Sequence, residues 1–405
     1  MKRRDFLAAS VLGWAGAATA AAQARKTTIA GVCFQYTHNG HPDVIFGRML
    51  GGYSPNGVRM EPQTRLVSLY TAQVKGDDLS RGVVEKYNLR NCSSIAAALT
   101  LGGDKLAVDG VCFVGEHGDY PENDVGQHLY PRYEFFSQIV DVFRQSGRSV
   151  PVYSDKHFSY EWPKARRMYD WSHELKFPLM AGSSLPVTVR TPELELPLGC
   201  ALEHAVSVGY GPSDAYGFHG LEALQCMVER RKGGETGVAA VEWLEGDEVW
   251  KWRDSAAGRW SAPLLNAALA ASPDSKPGRP EDNCKNPVLF VLEYRDGFRA
   301  ANYMLNGQLS SFAFAGKLEG RPEPVATHFE FTAKDGRPLP HFDGLVYCIE
   351  KFFVTGKPLY PVERTLLTTG VLAFVFESRR QKRRLETPEL KIVYQAPLHA
   401  YFERA

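Results

Sequence analysis

The sequence predicts an α/β protein, with an N-terminal parallel sheet covered by helices and chain enough for a second domain. Three observations carry this. From residue 27 to about 182, short apolar runs alternate with helical patterns. Most of those runs are continuously apolar, as in strands buried on both faces. The chain's 405 residues, 44% apolar and 23% charged, are enough for two domains with separate cores.

Residues 27–35, "TTIAGVCFQ", read as the first strand, and the helix over 42–51 turns Val44, Ile45, Met49 and Leu50 inward. Residues 64–72 are a second strand. The pattern over 77–89 is a helix that Asp77 or Asp78 would cap. A short helix over 93–101 precedes the strongly apolar strand 106–115. A helix over 132–147, closed by Gly147, then leads to strand 149–154, helix 161–176 and strand 177–183. In such a sheet, ligands bind beyond the carboxyl ends of the strands.

Residues 1–25 read as a leader. Lys2-Arg3-Arg4-Asp5-Phe6-Leu7 is a twin-arginine signature, followed by an apolar stretch and an Ala-rich cleavage region. The expectation is a bacterial periplasmic or secreted protein. The apolar stretch is too short and too rich in Ala and Gly to span a membrane, so no span remains after the leader is removed. A net charge of +1 argues against a polyanion-binding surface, hence against nucleic acid. The basic run 379–384 reads as a solvated helix end, where cations suit the dipole. Seven cysteines show no zinc-like or redox spacing, and Cys33 and Cys112 fall in apolar strands. Residues 272–287 look the least ordered, and a homo-oligomer is left open.

At this point a resemblance becomes specific. The block from "AVDGVCFVGEHGDY" through "GRSVPVYSDKHFSYEWPKARRMYDWSHELKFPLMAGSS" is similar to the middle of the Gfo/Idh/MocA oxidoreductase family. "AYGFHGLEALQCMVERRKGGETGVAAVEWLEGD" resembles its second-domain helix, and "HFDGLVYCIEKFFVTGKPLYPVERTLLTTGVLAFVFES" its closing helices. The resemblance covers most of 27–395, in order. It implies a Rossmann-like domain over 26–185, an α/β domain over 186–396 whose open, largely antiparallel sheet faces the cofactor, and NAD(P)-dependent hydride transfer on sugars or cyclitols.

The cofactor motifs depart from that pattern. A dinucleotide turn needs glycines where backbone approaches pyrophosphate, but Gln35, Tyr36, Thr37 and His38 stand there with only Gly40. The second strand ends Leu69-Tyr70-Thr71-Ala72-Gln73, without the acid that would hold a ribose. Both features argue against ordinary NAD(P) binding. The family's E-K-P lysine matches Lys156 in Asp155-Lys156-His157. Lys156 then reads as a polarising catalytic group, or else as a strand-end lysine pairing with a surface acid. The family's D-x-x-x-H matches Ala215-Tyr216-Gly217-Phe218-His219, which keeps His219 and loses the acid. Asp214 would point elsewhere, and Glu222 is the candidate replacement carboxylate. His219 could instead be a satisfied core histidine, and Glu222 a capping or solvent residue.

The replacements cluster in three loops at one sheet edge: His38 and His41; Glu116, His117, Asp119 and Tyr120; Lys156 and His157. His38, His41, Glu116 and His117 form a candidate set for a divalent metal, since imidazoles with carboxylates suit zinc, manganese or iron. Without metal, His117, Asp119, Tyr120 and His157 would bind substrate directly. Tyr130, Tyr133, Tyr160 and Trp162 could stack on a sugar or be core and rim residues. Trp243, Trp250, Trp252 and Trp260 read as packing, and Glu229-Arg230-Arg231 as a helix end. The preferred function is action on a carbohydrate or polyol derivative between the domains, by lyase, hydratase or isomerase-type proton transfer. Two rivals stay open: an NAD(P)-dependent sugar oxidoreductase with an unusual phosphate turn, and a non-catalytic carbohydrate-binding protein.

Overall fold

The computed structural model describes residues 25–331 and 339–404. The expected twin-arginine leader, apart from Arg25, lies outside the described residues.

Strands β1 (Thr27–Cys33), β2 (Thr64–Thr71), β3 (Arg90–Asn91), β4 (Gly110–Val114), β5 (Val152–Asp155) and β6 (Leu179–Gly182) form one sheet in the order β3-β2-β1-β4-β5-β6. Every pairing in it is parallel. Its helices are α1 (His41–Gly51), α2 (Ser80–Lys86), α3 (Ile95–Thr100), α4 (Arg132–Ser146) and α5 (Trp162–Glu174). Successive side chains of a strand point to opposite faces. Val111 and Phe113 therefore join the core under α3, α4 and α5, while Cys112 and Val114 join the core under α1. Strand order reverses between β1 and β4, which opens a crevice at their carboxyl ends.

The second sheet holds β7 (Arg190–Thr191), β8 (Leu202–Gly209), β9 (Val238–Glu245), β10 (Val288–Tyr294), β11 (Arg299–Met304), β12 (Phe312–Leu318), β13 (Val325–Phe329) and β14 (Leu385–Glu386). Its order is β14-β9-β10-β11-β8-β12-β13-β7, mixed because β11 and β8 run parallel while the other pairs are antiparallel. Helices α6 (Ala215–Val228) and α11 (Val362–Gln381) pack on one face, where Phe218, Leu221, Leu372 and Val375 meet Phe290 and Phe314. The other face is not bare. Leu264, Leu265 and Ala268 of α8 (Ser261–Ala271), with Val249 of α7 (Asp247–Asp254), cover Val206, Val208, Tyr303 and Ala313. The sheet is thus open only at its edges. Trp243, Trp250, Trp252 and Trp260 pack within these layers.

Helix α10 (His341–Thr355) crosses back to the first domain. Phe342, Leu345, Ile349 and Phe352 share a core with Ile29, Val44, Ile45 and Met49. Glu350, fully buried on α10, accepts hydrogen bonds from Tyr53 Oη (2.8 Å), the Gln63 and Thr64 amides (2.9 Å each) and Thr64 Oγ1 (2.5 Å). This contact locks the two halves of the chain together at the amino end of β2, opposite the crevice.

Three local expectations change. Helix α2 is capped by Leu79, not Asp77 or Asp78; Asp78 accepts instead from Ser80 Oγ at 2.7 Å. Residues 272–287 are tied down, with α9 (Pro280–Asn283) inside them. Asp274 takes Ser310 N, Ser310 Oγ and Ser311 Oγ, and Gln308 Nε2 donates to the Lys276 carbonyl. The basic run does end a helix, with Lys382 in the left-handed conformation after α11. All seven cysteines are unpaired thiols. Among the described residues no helix is long and apolar enough to cross a membrane.

Candidate active site

A cleft of about 350 Å³ opens at the carboxyl ends of β1, β4 and β5 and faces α6 and α10. Its first-domain wall is Asn39, His41, Glu116, His117 and Lys156. Three of these lie in the left-handed region though none is glycine: Asn39 (φ 58°), His117 (φ 64°) and Lys156 (φ 72°). Non-glycine residues reach that conformation at a cost of about 1–3 kcal/mol, and they concentrate where a side chain must be aimed. Here each follows the carboxyl end of a strand, and each turns its side chain into the same space.

His41 opens α1 and points into the crevice. Its Nδ1 lies 2.7 Å from Asp155 Oδ2 and its Nε2 3.2 Å from Glu116 Oε2. The ammonium of Lys156, itself buried, sits 2.9 Å from the same Glu116 oxygen and 2.7 Å from His41 Nε2. Burial disfavours an ionised Glu116, but the neighbouring charges of His41, Lys156 and His117 outweigh it and hold this carboxyl well below the usual carboxylate range. Phe342 closes the back of the cluster with a T-shaped contact to His41 at 4.7 Å.

The opposite wall comes from the second half of the chain. His219 sits in the second turn of α6, with Nδ1 2.5 Å from Ser183 Oγ. Ser183 is oriented in turn: its Oγ accepts the Leu185 amide (3.1 Å), and its own amide donates to Glu222 Oε2 (3.3 Å). Burial, then the Lys156 charge, push His219 well below the ordinary histidine range, so the ring is neutral at pH 7. His341, at the start of α10, is lowered to about 3 by burial and by His41, Arg48 and Lys156. Its buried Nδ1 has no hydrogen-bond partner among the described residues. Tyr216, Phe312, Phe331 and Phe342 supply aromatic surface around these polar groups.

The cleft brings together His41, Glu116, His117, Lys156 and His219 from the sequence-predicted residues, and leaves out the others. His38 is exposed and faces Asp43 at 3.7 Å, outside the proposed metal set. Asp119 is exposed and pairs with Lys75, while Tyr120 packs on Phe34 at 5.0 Å. His157 is buried behind the cleft, where Arg132 Nη1 approaches its Nε2 at 2.9 Å and Phe218 packs beside it. Glu222 does not line the cleft. It accepts from Thr368 Oγ1 (2.6 Å) and, through Ser183, it positions His219. Glu229 and Arg231 form internal ion pairs with Arg364 and Glu235. The readings missed Asp155, His341 and the aromatic wall. Asp155 stood beside the matched lysine, and His341 opened a quoted helix, so both had a local signal.

The crevice where a dinucleotide would lie is built differently from the family pattern. Pro42 removes one amide from the first turn of α1, and Asp43 accepts the Asn39 amide at 2.9 Å, placing an anion there. Phe34, fully buried at the end of β1, packs against Tyr120, Tyr130 and Phe135 with centroids 4.7–5.9 Å away. Gln73, two residues past the end of β2, accepts the Asp119 amide at 2.9 Å and ties down the loop after β4. A Cβ on Gly118 would stand 2.9 Å from that Gln73 oxygen, so the clasp needs glycine there.

No family model matches the chain, and no curated protein matches it. Solved structures do. The chain is similar to GenD2 from gentamicin A biosynthesis, in complex with NAD, at 12% identity and a TM-score of 0.56, covering 89% of this chain and 96% of that one. It is similar to a myo-inositol dehydrogenase from Corynebacterium glutamicum (10% identity, TM-score 0.53, covering 89% and 99%). A myo-inositol 2-dehydrogenase from Lactobacillus plantarum shares 9% identity at a TM-score of 0.52, covering 89% and 99%. These likenesses establish a shared fold over nearly the whole of each chain.

Proposed function

We propose that this chain is a divergent Gfo/Idh/MocA-type enzyme that transfers protons on a carbohydrate or polyol derivative, without a nicotinamide carrier. The observation that carries the reading is the pairing, across one small cleft, of a buried ammonium on Lys156 with a neutral, half-buried imidazole on His219. The volume is of the size small-ligand pockets take, roughly 300–1,000 Å³. Support for a sugar-like substrate comes from the fold shared with inositol dehydrogenases and from aromatic walls beside convergent polar groups. The groups at the pyrophosphate and ribose positions do not fit a dinucleotide in the family pose, because Asp43, Phe34 and the Gln73–Asp119 clasp take up what it needs.

The chemistry follows from charge placement. His219 takes the proton from a carbon next to a sugar carbonyl, and the C–H electron pair moves onto the carbonyl oxygen. Lys156 stabilises the resulting enolate, as a fixed cation does in a water-poor site. For isomerisation, a proton passes from the substrate's α-hydroxyl to the enolate oxygen, and the imidazolium returns its own proton to the former carbonyl carbon as the new carbonyl forms. For loss of water, the enolate re-forms the carbonyl, the β C–O bond breaks and the imidazolium protonates the departing hydroxyl. With the leader, the reading places this reaction in the periplasm or outside the cell.

The test has two parts. Native mass spectrometry of protein purified without chelator reads bound nucleotide; a stoichiometric NAD(P) overturns the reading in favour of the oxidoreductase, which the fold of the NAD-bound GenD2 supports. Deuterium exchange at the α-carbon of keto-sugars and aldonates in D₂O, followed by NMR, reads proton transfer directly. Exchange abolished in both Lys156→Met and His219→Asn is expected; exchange unchanged in either removes that residue from the mechanism.

A further inference from the structure

His41 opens α1, Glu116 lies in the loop after β4 and Asp155 ends β5, yet their ligand atoms all lie within 4.8 Å of one another. One imidazole and two carboxylates make a ligand set for zinc, manganese or iron with a position left open. This trio is not the set the sequence suggested, since His38 and His117 are replaced by Asp155. The space among the ligands already holds a cation. Lys156 Nζ is 2.9 Å from Glu116 Oε2 and 2.7 Å from His41 Nε2.

The backbone delivers the ammonium there. Lys156 is held at φ 72°, and its amide donates to the Gly182 carbonyl at 3.2 Å, so the side chain leaves β5 toward the cluster. A divalent ion bound by the trio would stand within a few ångström of that ammonium in a buried site, where like charges repel strongly. The two cations exclude each other.

We propose that His41, Glu116 and Asp155 form a latent divalent-metal triad whose resident cation is the tethered Lys156 ammonium, and that metal enters only when the ammonium is removed. The proposal deepens the reading of Lys156 as the polarising cation of the cleft and rests on it. It assigns the electrophile to the chain itself.

Zinc binding by chelator competition, read without substrate, tests this independently of whether the sugar reaction is found. Lys156→Met and Lys156→Asn, the latter suited to the left-handed backbone, should each bind one zinc ion at least about 100-fold more tightly than the parent chain. Zinc should raise their melting temperatures, and His41→Ala in the Lys156→Met background should abolish both effects. Folded variants that bind zinc no better than the parent overturn the proposal. Should neither variant fold, the parent decides: one tightly bound zinc lost in His41→Ala overturns the proposal, and its absence supports it.

Discussion

Replacing Lys156 by methionine removes the ammonium 2.9 Å from Glu116 and leaves a carboxylate whose side chain is only 9% exposed. Removing one partner of a buried ion pair costs about 3–5 kcal/mol, because the other charge stays desolvated. His41 Nε2 remains 3.2 Å from the same oxygen, so part of the compensation survives. The expected loss is about 2–4 kcal/mol. Lys156→Gly should lose about 1 kcal/mol less, since glycine relieves the left-handed strain. In Lys156→Met/Glu116→Gln the stranded charge is gone, and the pair should show a coupling energy of at least about 1 kcal/mol. Urea unfolding followed by tryptophan fluorescence gives these values, with unchanged m-values as the check on cooperativity. A double variant that loses the sum of the two single losses would refute the argument, because it would mean the ammonium and carboxylate do not compensate one another.

Two further expectations concern buried charge. His341, lowered to about 3, is neutral in the folded chain over a range where an unfolded histidine, with pKa near 6.5, binds a proton. Its contribution is therefore fully present above about pH 6.5 and lost as pH falls toward 3, so His341→Asn should flatten that limb of the stability profile. Asp214 is raised to about 6 by burial and works with the opposite sign: the folded form keeps a proton that the unfolded form has lost. Its contribution is present at low pH and lost as pH rises to 6; thermal melts of Asp214→Asn between about pH 4 and 6 check this. Arg364 clasps Glu229 with two hydrogen bonds of 2.8 and 2.5 Å inside the core. Arg364→Met should cost about 3–5 kcal/mol in urea unfolding. Arg190→Met should cost less than half as much, because the Arg190 guanidinium is held by the Leu194 and Pro186 carbonyls.

Much of the first domain was legible because its signals are local. Apolar runs marked β1, β2 and β4, Gly147 closed α4, and the spacing of turns placed His41, Glu116 and Lys156 at one sheet edge. The failures share a cause as well. His157 follows Lys156 directly, but the left-handed turn at Lys156 sends the next side chain backward to Arg132, and no periodicity reports that reversal. Asp119 and Tyr120 are three and four residues past Glu116, yet Phe34, just after β1, and Gln73 and Lys75, in the loop after β2, claim them. Glu222 has the helical spacing to sit near His219, but it faces α11 and reaches the histidine only through Ser183.

The sequence by itself determined the parallel sheet, its helical cover and the residue types gathered at the sheet's carboxyl edge, because strand and helix periodicity and loop position are properties of short stretches. Only the tertiary structure decided which of those residues meet. His341 comes from a helix 300 residues beyond His41 and reaches the cleft because α10 buries its apolar face on α1. Asp155 replaces His38 beside His41 because the first faces inward at the end of a buried strand while the second faces solvent. Whether a carboxylate beside an imidazole holds a metal or a lysine depends on a few ångström between loops that no local pattern encodes, and here that space holds the Lys156 ammonium.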